Sequence, residues 1–191
     1  MIQISAIRTR VPMMKRSTPA QGNYHVYDIL VALDGSETSS SALDAALTLA
    51  SESAARLTPV YVVDYFLPVY DMYGYDPSIL LDAFREEGQR VTQDAAKRMK
   101  TRGVSGTPRM VTVEPVGEDV AQRILIVAKE IDADLIVMGT HGRRGFRRLV
   151  LGSVAERVLR RAACPVLLIP ASRPPEHAAE PIAVSTQNEQ S

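Results

Sequence analysis

The stretch DLIVMGTHGRRGFRRLVLGSV, residues 134–154, decides the fold. Its opening reads as a short buried strand. From Val154 onward the apolar residues Val154, Val158, Leu159 and Ala162 recur at helical spacing. Between strand and helix lies a loop punctuated by Gly139, Gly142, Gly145 and Gly152. A strand–loop–helix unit of this kind belongs to an α/β sheet. Its loop ends at a helix N-terminus, where unpaired N–H groups and the positive end of the helix dipole favour an anion.

The same alternation extends outward from this unit. Asp28–Leu33 is a short apolar run that stops at Asp34-Gly35-Ser36. A helix follows, with Leu43, Ala46, Leu47 and Ala50 at i, i+3, i+4 and i+7 and Ser36 as its N-cap. Residues 57–63 form a second strand, weakened at its start by the Thr58-Pro59 step. Residues 64–78 read as a long loop carrying Tyr65, Tyr70, Tyr73 and Tyr75. Residues 78–101 read as a helix with Leu80, Phe84, Val91 and Ala95 on one face, closed by Gly103 and Gly106. A strand over 109–113 and a helix after Gly117, striped by Val120, Ile124, Val127, Ala128 and Ile131, lead to the strand at 134–138. A helix over 154–163 and a strand at Val166–Ile169, between Pro165 and Pro170, complete the pattern. Continuous apolar strands separated by helices imply right-handed crossovers and a parallel sheet covered on both faces. The expected organisation is one doubly wound α/β domain over residues 26–171, a flexible extension at 1–25 and a disordered tail at 172–191 rich in Pro, Glu, Gln, Ser and Ala.

Composition narrows the function classes. Lys plus Arg and Asp plus Glu are equal at 22 each, so no global charge draws the chain to nucleic acid or an anionic membrane. No apolar run approaches the roughly 18 residues of a membrane span. Residues 1–23 hold Arg8, Arg10, Lys15 and Arg16 but lack the apolar h-region of about 7–15 residues found in a secretory signal. The single cysteine, Cys164, excludes an intrachain disulfide and fits a reducing, cytoplasmic setting. Just before an apolar strand, it reads as a small packed residue rather than a reactive thiol.

Ligands of open α/β sheets sit beyond the strand C-termini, where the strand order reverses. The loops after the first and fourth strands are the candidates, and they line one crevice if those strands are neighbours. Gly139 and Gly142 are expected to take positive φ and let the backbone approach a ligand. Ser153 Oγ either caps the next helix or donates to a phosphate oxygen. Asp34 is an acceptor suited to a ribose hydroxyl or a hydrated Mg²⁺. The Walker A pattern is absent for want of its lysine, and so is the Gly-x-Gly-x-x-Gly fingerprint. On these residues alone, a phosphate site and a plain glycine-rich connector both stand.

Gly-x2-Gly-x9-Gly-Ser after a strand reading DLIVMG resembles the ATP-binding motif of the universal stress protein family. ILVALDGSETSSSALDAA is similar to that family's opening strand and helix, and CPVLLIP to its closing strand. The resemblance spans residues 26–171. It implies a five-stranded parallel sheet of order 3-2-1-4-5 of the adenine nucleotide α-hydrolase-like type, with helices on both faces. It also implies ATP, with Mg²⁺ on its phosphates, as the ligand. Carried over by position, Asp34 corresponds to the ribose-binding acid and Val62 to the residue that touches adenine. Met138 and Gly139 would flank the nucleotide, while Gly142, Gly152, Ser153 and Val154 would cradle phosphate.

Other residues carry competing readings. Arg143, with Arg144, Arg147 and Arg148, either clamps phosphates or belongs to a solvated loop. A nucleic-acid patch is disfavoured, since Phe146 alone interleaves the arginines. His141 is read as a polar loop residue holding its own backbone rather than as a general base. The tyrosines of 65–75 either pack the loop onto the core or form a lid. No His/Cys/Asp spacing suggests a metal set. The apolar last strand, 166–169, is an expected sheet edge, which needs cover. Family members pair it with its own copy, which implies an isologous homodimer. The functional expectation is a cytoplasmic, ATP-binding regulatory protein with an unknown protein partner and at most slow hydrolysis. Two other readings stand beside it. One is an interaction protein of the same fold that uses no nucleotide. The other is a hydrolase or nucleotidyl transferase, disfavoured because Leu33-Asp34-Gly35-Ser36-Glu37-Thr38 departs from the Ser-Gly-Gly-x-Asp-Ser loop of adenylating relatives.

Overall fold

In the computed structural model the described residues are 25–64, 77–114, 116–142 and 151–170, side chains excepted at 77–81. The chain runs β1 (Asp28–Leu33), α1 (Glu37–Ser53), β2 (Arg56–Val63), α2 (Pro77–Thr101), β3 (Arg109–Thr112), α3 (Val120–Glu130), β4 (Leu135–Gly139), α4 (Ser153–Arg161) and β5 (Val166–Ile169). All neighbouring strands are parallel, in the order β3-β2-β1-β4-β5. This is the doubly wound order that the family resemblance implies. The N-terminal extension, the tyrosines of 65–75, the arginines of 143–148 and the C-terminal tail lie outside the described residues.

The alternation of side chains along each strand splits the core in two. Ile29, Val31 and Leu33 of β1 face α1 and α2, packing on Leu43, Ala46, Leu47, Ala50, Val91, Ala95 and Met99. Leu30 faces the other way, with Ile136 and Met138 of β4, toward Ile124, Val127 and Ala128 of α3 and Ala155 and Val158 of α4. Burial on both faces is why the strands read as unbroken apolar runs. Gly88 lets α2 settle directly on the sheet: a Cβ there would lie 2.8 Å from the Tyr61 ring and 2.7 Å from Met110 Sδ.

Pro59 does not interrupt β2. Leu57 N donates to Ser105 O, and Val113 N donates to Val63 O, so the odd residues of β2 point their backbone groups toward β3. Pro59 shares that parity and falls before the β2–β3 ladder begins at Val60 and Arg109. Its missing N–H therefore breaks no ladder bond. Asp134 sits one residue before β4 rather than within it. Its Oδ2 accepts from Tyr27 N (2.8 Å) and Asp28 N (3.0 Å), which ties β4 to the start of β1. Asp28, 4% exposed, pairs in turn with Arg56 at the head of β2 (Nε 2.8 Å, Nη2 2.7 Å).

Three helices close in the same way. After α2, Gly103 (φ +65) lets Val104 N reach Met99 O and Gly103 N reach Lys100 O, a Schellman closure. After α1 the left-handed position is held by Ala54 (φ 53), with Ala55 N on Ala50 O. After α3 it is held by Asp132 (φ 50), with Ala133 N on Ala128 O. Alanine pays a steric penalty of roughly 1–2 kcal/mol in that conformation, against about 0.5–1 kcal/mol of added chain entropy for glycine. Ala54→Gly should therefore stabilise the protein by about 0.5–1 kcal/mol, raising the melting temperature by a few degrees in a thermal unfolding scan.

Candidate functional site

From β1 the chain first moves outward through β2 and β3, then returns to β4 and β5 on the other side of β1. The strand order thus reverses between β1 and β4, and a crevice opens beyond their C-terminal ends. The register pairs Val31 with Val137, so Asp34 and Thr140 leave the sheet side by side. Strands β1 and β4 are neighbours, which is the condition under which the two candidate loops line one crevice.

The β1 loop is built around Asp34. Its Oδ1 accepts from Ser36 N (3.0 Å) and Ser36 Oγ (2.6 Å), fixing the carboxylate, while Gly35 turns the chain with φ +81. Ser36 Oγ accepts from Ser39 N at 3.1 Å and so caps α1, as its position predicts. The other carboxylate oxygen faces the β4 loop. A Cβ on Gly142 would lie 2.5 Å from Asp34 Oδ2, and one on Gly139 would lie 2.8 Å from Thr38 Cγ2. Neither glycine is among the described ones with positive φ, which are Gly35, Gly103, Gly106 and Gly117. The expectation of left-handed backbone at Gly139 and Gly142 is thus corrected. These glycines are required by close approach: β4 leaves the sheet against the start of α1, and Gly142 rests on the Asp34 carboxylate.

The far end of the glycine loop is pinned to its beginning. Gly152 N donates to Thr140 O (2.8 Å) and Thr140 N donates to Ile169 O (2.9 Å). Residues 143–150, Arg143 included, lie outside the described residues and are spanned by this clasp. Gly152, not Ser153, is the N-cap of α4, and no side chain caps that helix. The capping reading of Ser153 is therefore replaced: it is the first helical residue, exposed, and the first N–H groups of α4 have no side-chain acceptor among the described residues. Val62, Met138 and Val154 share the α3/α4 side of the sheet, Met138 buried and the other two partly buried against that cluster. His141 differs from its expected role. Its Nδ1 pairs with the Thr140 hydroxyl at 2.9 Å rather than with backbone, and its buried Nε2 has no hydrogen-bond partner among the described residues.

Behind the crevice α3 and α4 are braced by charge, which the sequence did not reveal. Asp119 caps α3 in a full capping box with Gln122, and its Oδ2 receives Arg157 Nη1 of α4 at 2.7 Å. Burial pushes the Asp119 carboxyl up, but the Gln122 N–H and Arg157 outweigh it and hold the group below its ordinary range. Burial pushes the Cys164 thiol up, with Asp134 acting in the same direction, in keeping with a packed rather than a reactive cysteine. Among the described residues no cluster of His, Cys, Asp and Glu is arranged to hold a metal ion, and no helix is long and apolar enough to cross a membrane.

The sheet order and the flanking helices match an adenine-nucleotide-binding α/β fold. The universal stress protein family matches residues 27–170, and the chain belongs to that family. A universal stress protein of Methanocaldococcus jannaschii is 36% identical over 145 residues, covering 74% of this chain and 80% of the relative. The crystal structure of a family member from Burkholderia pseudomallei is 59% identical, with a TM-score of 0.64, and covers 79% of this chain and all of that one. A universal stress protein solved in complex with cAMP is 26% identical, with a TM-score of 0.56, covering 77% of this chain and 99% of that one.

The depressed Asp119 group carries a signed pH dependence. A carboxylate whose folded pKa lies below its unfolded value of about 3.9 contributes stability above that value and loses it as pH falls through the folded one. Asp119→Ala should cost about 1 kcal/mol at pH 7. In paired thermal melts, its deficit against the parent protein should shrink as the pH is lowered below about 4.

Proposed function

We propose that this chain is a nucleotide-dependent regulatory protein that binds an adenine nucleotide, with ATP as the expected ligand, in the crevice between β1 and β4. The observation that carries this reading is the approach of Gly142 to Asp34 Oδ2. A glycine pressed this closely on a carboxylate that Ser36 holds in place joins the two loops at the mouth of the crevice, and supports a site shared between them. The open N-terminus of α4, started by Gly152-Ser153 and clasped to Thr140, supports an anionic group at the same place.

The residues fit the group. Asp34 would receive ribose hydroxyls and Val62 would meet the base. Met138 and Gly139 would flank the nucleotide, and Gly142, Gly152, Ser153 and Val154 would hold its phosphates. Arg143 would add charge, and Mg²⁺ would accompany the phosphates. Hydrolysis is at most slow in this reading, because the sequence has no Walker lysine to stabilise the transferring phosphoryl group. The protein would act in the cytoplasm, through a partner that reads the occupied state.

The quaternary reading rests on β5, the outer strand of the sheet next to β4, with Leu167 exposed. An apolar edge seeks cover, and antiparallel pairing with a second copy satisfies it by an isologous contact.

Gly142→Val should weaken ATP binding at least about 100-fold, or about 2.7 kcal/mol, by calorimetry. Retained affinity would count against the site. Thermal shifts with ATP, ADP, AMP and cAMP would rank the ligands. In sedimentation velocity at micromolar concentration the parent protein should run as a dimer and Leu167→Arg as a monomer. A monomeric parent would refute the β5 contact without touching the nucleotide site.

A further inference from the structure

One polar atom in the loop after β4 is left over by the fold. His141 stands between Gly139 and Gly142. Its Nε2 is sealed from water, and among the described residues it is the one buried side-chain nitrogen or oxygen without a hydrogen-bond partner. An unpaired buried donor or acceptor is costly, so such a group marks a place where the fold calls for a further partner. The nearby backbone carbonyls are already engaged. Thr140 O is taken by Gly152 N at 2.8 Å, and Ile169 O by Thr140 N at 2.9 Å.

The other ring nitrogen, Nδ1, lies 2.9 Å from the Thr140 hydroxyl. That hydroxyl either donates or accepts, and its choice fixes the tautomer. If Thr140 donates, Nδ1 accepts and Nε2 carries the proton. If Thr140 accepts, Nε2 is bare and needs a donor. Donors are what this corner has in excess. α4 begins at Ser153 behind Gly152 with no side-chain cap, so its first N–H groups have no side-chain acceptor among the described residues. A Cβ on Gly152 would lie 3.6 Å from His141 Cα, so the ring is carried by a residue packed on that helix start. A bare Nε2 next to such donors would not be left unpaired. An Nε2–H joins them as one more donor, and a group of donors without an acceptor suits an anionic oxygen. Asp34, whose carboxylate would repel a phosphate, abuts Gly142 and is left to the sugar.

We propose that His141 is a phosphate-reading residue of the crevice. The Thr140 hydroxyl donates to Nδ1 and holds the ring as the Nε2–H tautomer, and Nε2–H donates to a phosphate oxygen of the bound nucleotide. The assignment rests on the adenine-nucleotide reading above and adds to it a side chain that tells a nucleotide from its nucleoside. Thr140 is a positioning residue, since it acts through the imidazole.

The full-length protein tests this with adenosine and ATP, which differ only in the phosphates. By calorimetry, His141→Ala should weaken ATP binding about 10-fold or more and leave adenosine within about twofold. His141→Gln, whose amide can donate in place of Nε2–H, should recover most of the loss. An equal loss for ATP and adenosine is what a merely structural role produces and would overturn the proposal, as would an unchanged ATP affinity. A parent protein that binds neither ligand would bring down the nucleotide reading itself, and this proposal with it. The tautomer is read without any ligand. In two-bond ¹H–¹⁵N spectra of the parent at about pH 8, where imidazole is ordinarily neutral, the His141 ring, identified by its absence from His141→Gln, should show an unprotonated Nδ1. Thr140→Val should lose that preference. A proton on Nδ1 in the parent would overturn the assignment.

Discussion

Burial of β1 on both faces and along both edges is the constraint from which the rest of this structure follows. Ile29, Leu30 and Val31 are at most 1% exposed, covered by α1 and α2 on one side and by the α3/α4 cluster on the other. Hydrogen bonds to β2 and β4 close its edges. A strand enclosed in this way cannot bind anything along its length. Its C-terminal end is the exception. There the chain departs to one side for β2 and returns on the other for β4, and the divergence of the two crossovers leaves a crevice. The candidate site is thus a by-product of how the sheet is covered. Its chemistry comes from what the sequence places at that end: a carboxylate after β1 and glycines after β4.

The crevice is held by short-range contacts that leave little slack. Ser36 caps α1 and fixes Asp34 in one motion, so the acid's orientation is tied to the helix start. Gly142 abuts that acid, and Gly152 clasps the loop at Thr140. Thr140 N in turn is held by β5 through Ile169 O, which ties the loop to the strand proposed as the dimer edge. Backbone hydrogen bonds therefore run from the candidate site to β5. Asp119 and Arg157 brace the two helices beneath it, so α4 presents its N-terminus from a fixed base.

Much of this was legible in the chain alone because it rests on local pattern. Helical stripes such as Leu43-Ala46-Leu47-Ala50, the Ser36 cap and the apolar strands all depend on near neighbours. The reversal of order at β1 was legible only through resemblance, since parallel crossovers do not say which side the next strand joins. Two features escaped because their partners are distant in sequence. Gly88 reads as a weak helix residue until Tyr61 and Met110 are placed beneath it. Asp134 reads as a strand start until its carboxylate is seen to hold the amides of Tyr27 and Asp28. Ala54 and Asp132 escaped for a local reason: neither carries a glycine signal, yet they end helices as Gly103 does.

Sequence by itself determined the class of fold, the two loops that matter and the residue types within them. Hydrophobic period, capping chemistry and glycine spacing are written in consecutive residues. Tertiary structure decided what those residues do. It turned Gly139 and Gly142 from expected left-handed turns into points of close approach, and moved the cap of α4 from Ser153 to Gly152. It also gave Asp34 one oxygen committed to Ser36 and another facing Gly142. Each of these depends on distances between segments roughly a hundred residues apart, or on the backbone angle at which a helix begins. Packing of the whole sheet sets those distances and angles, and no local run of residues encodes them.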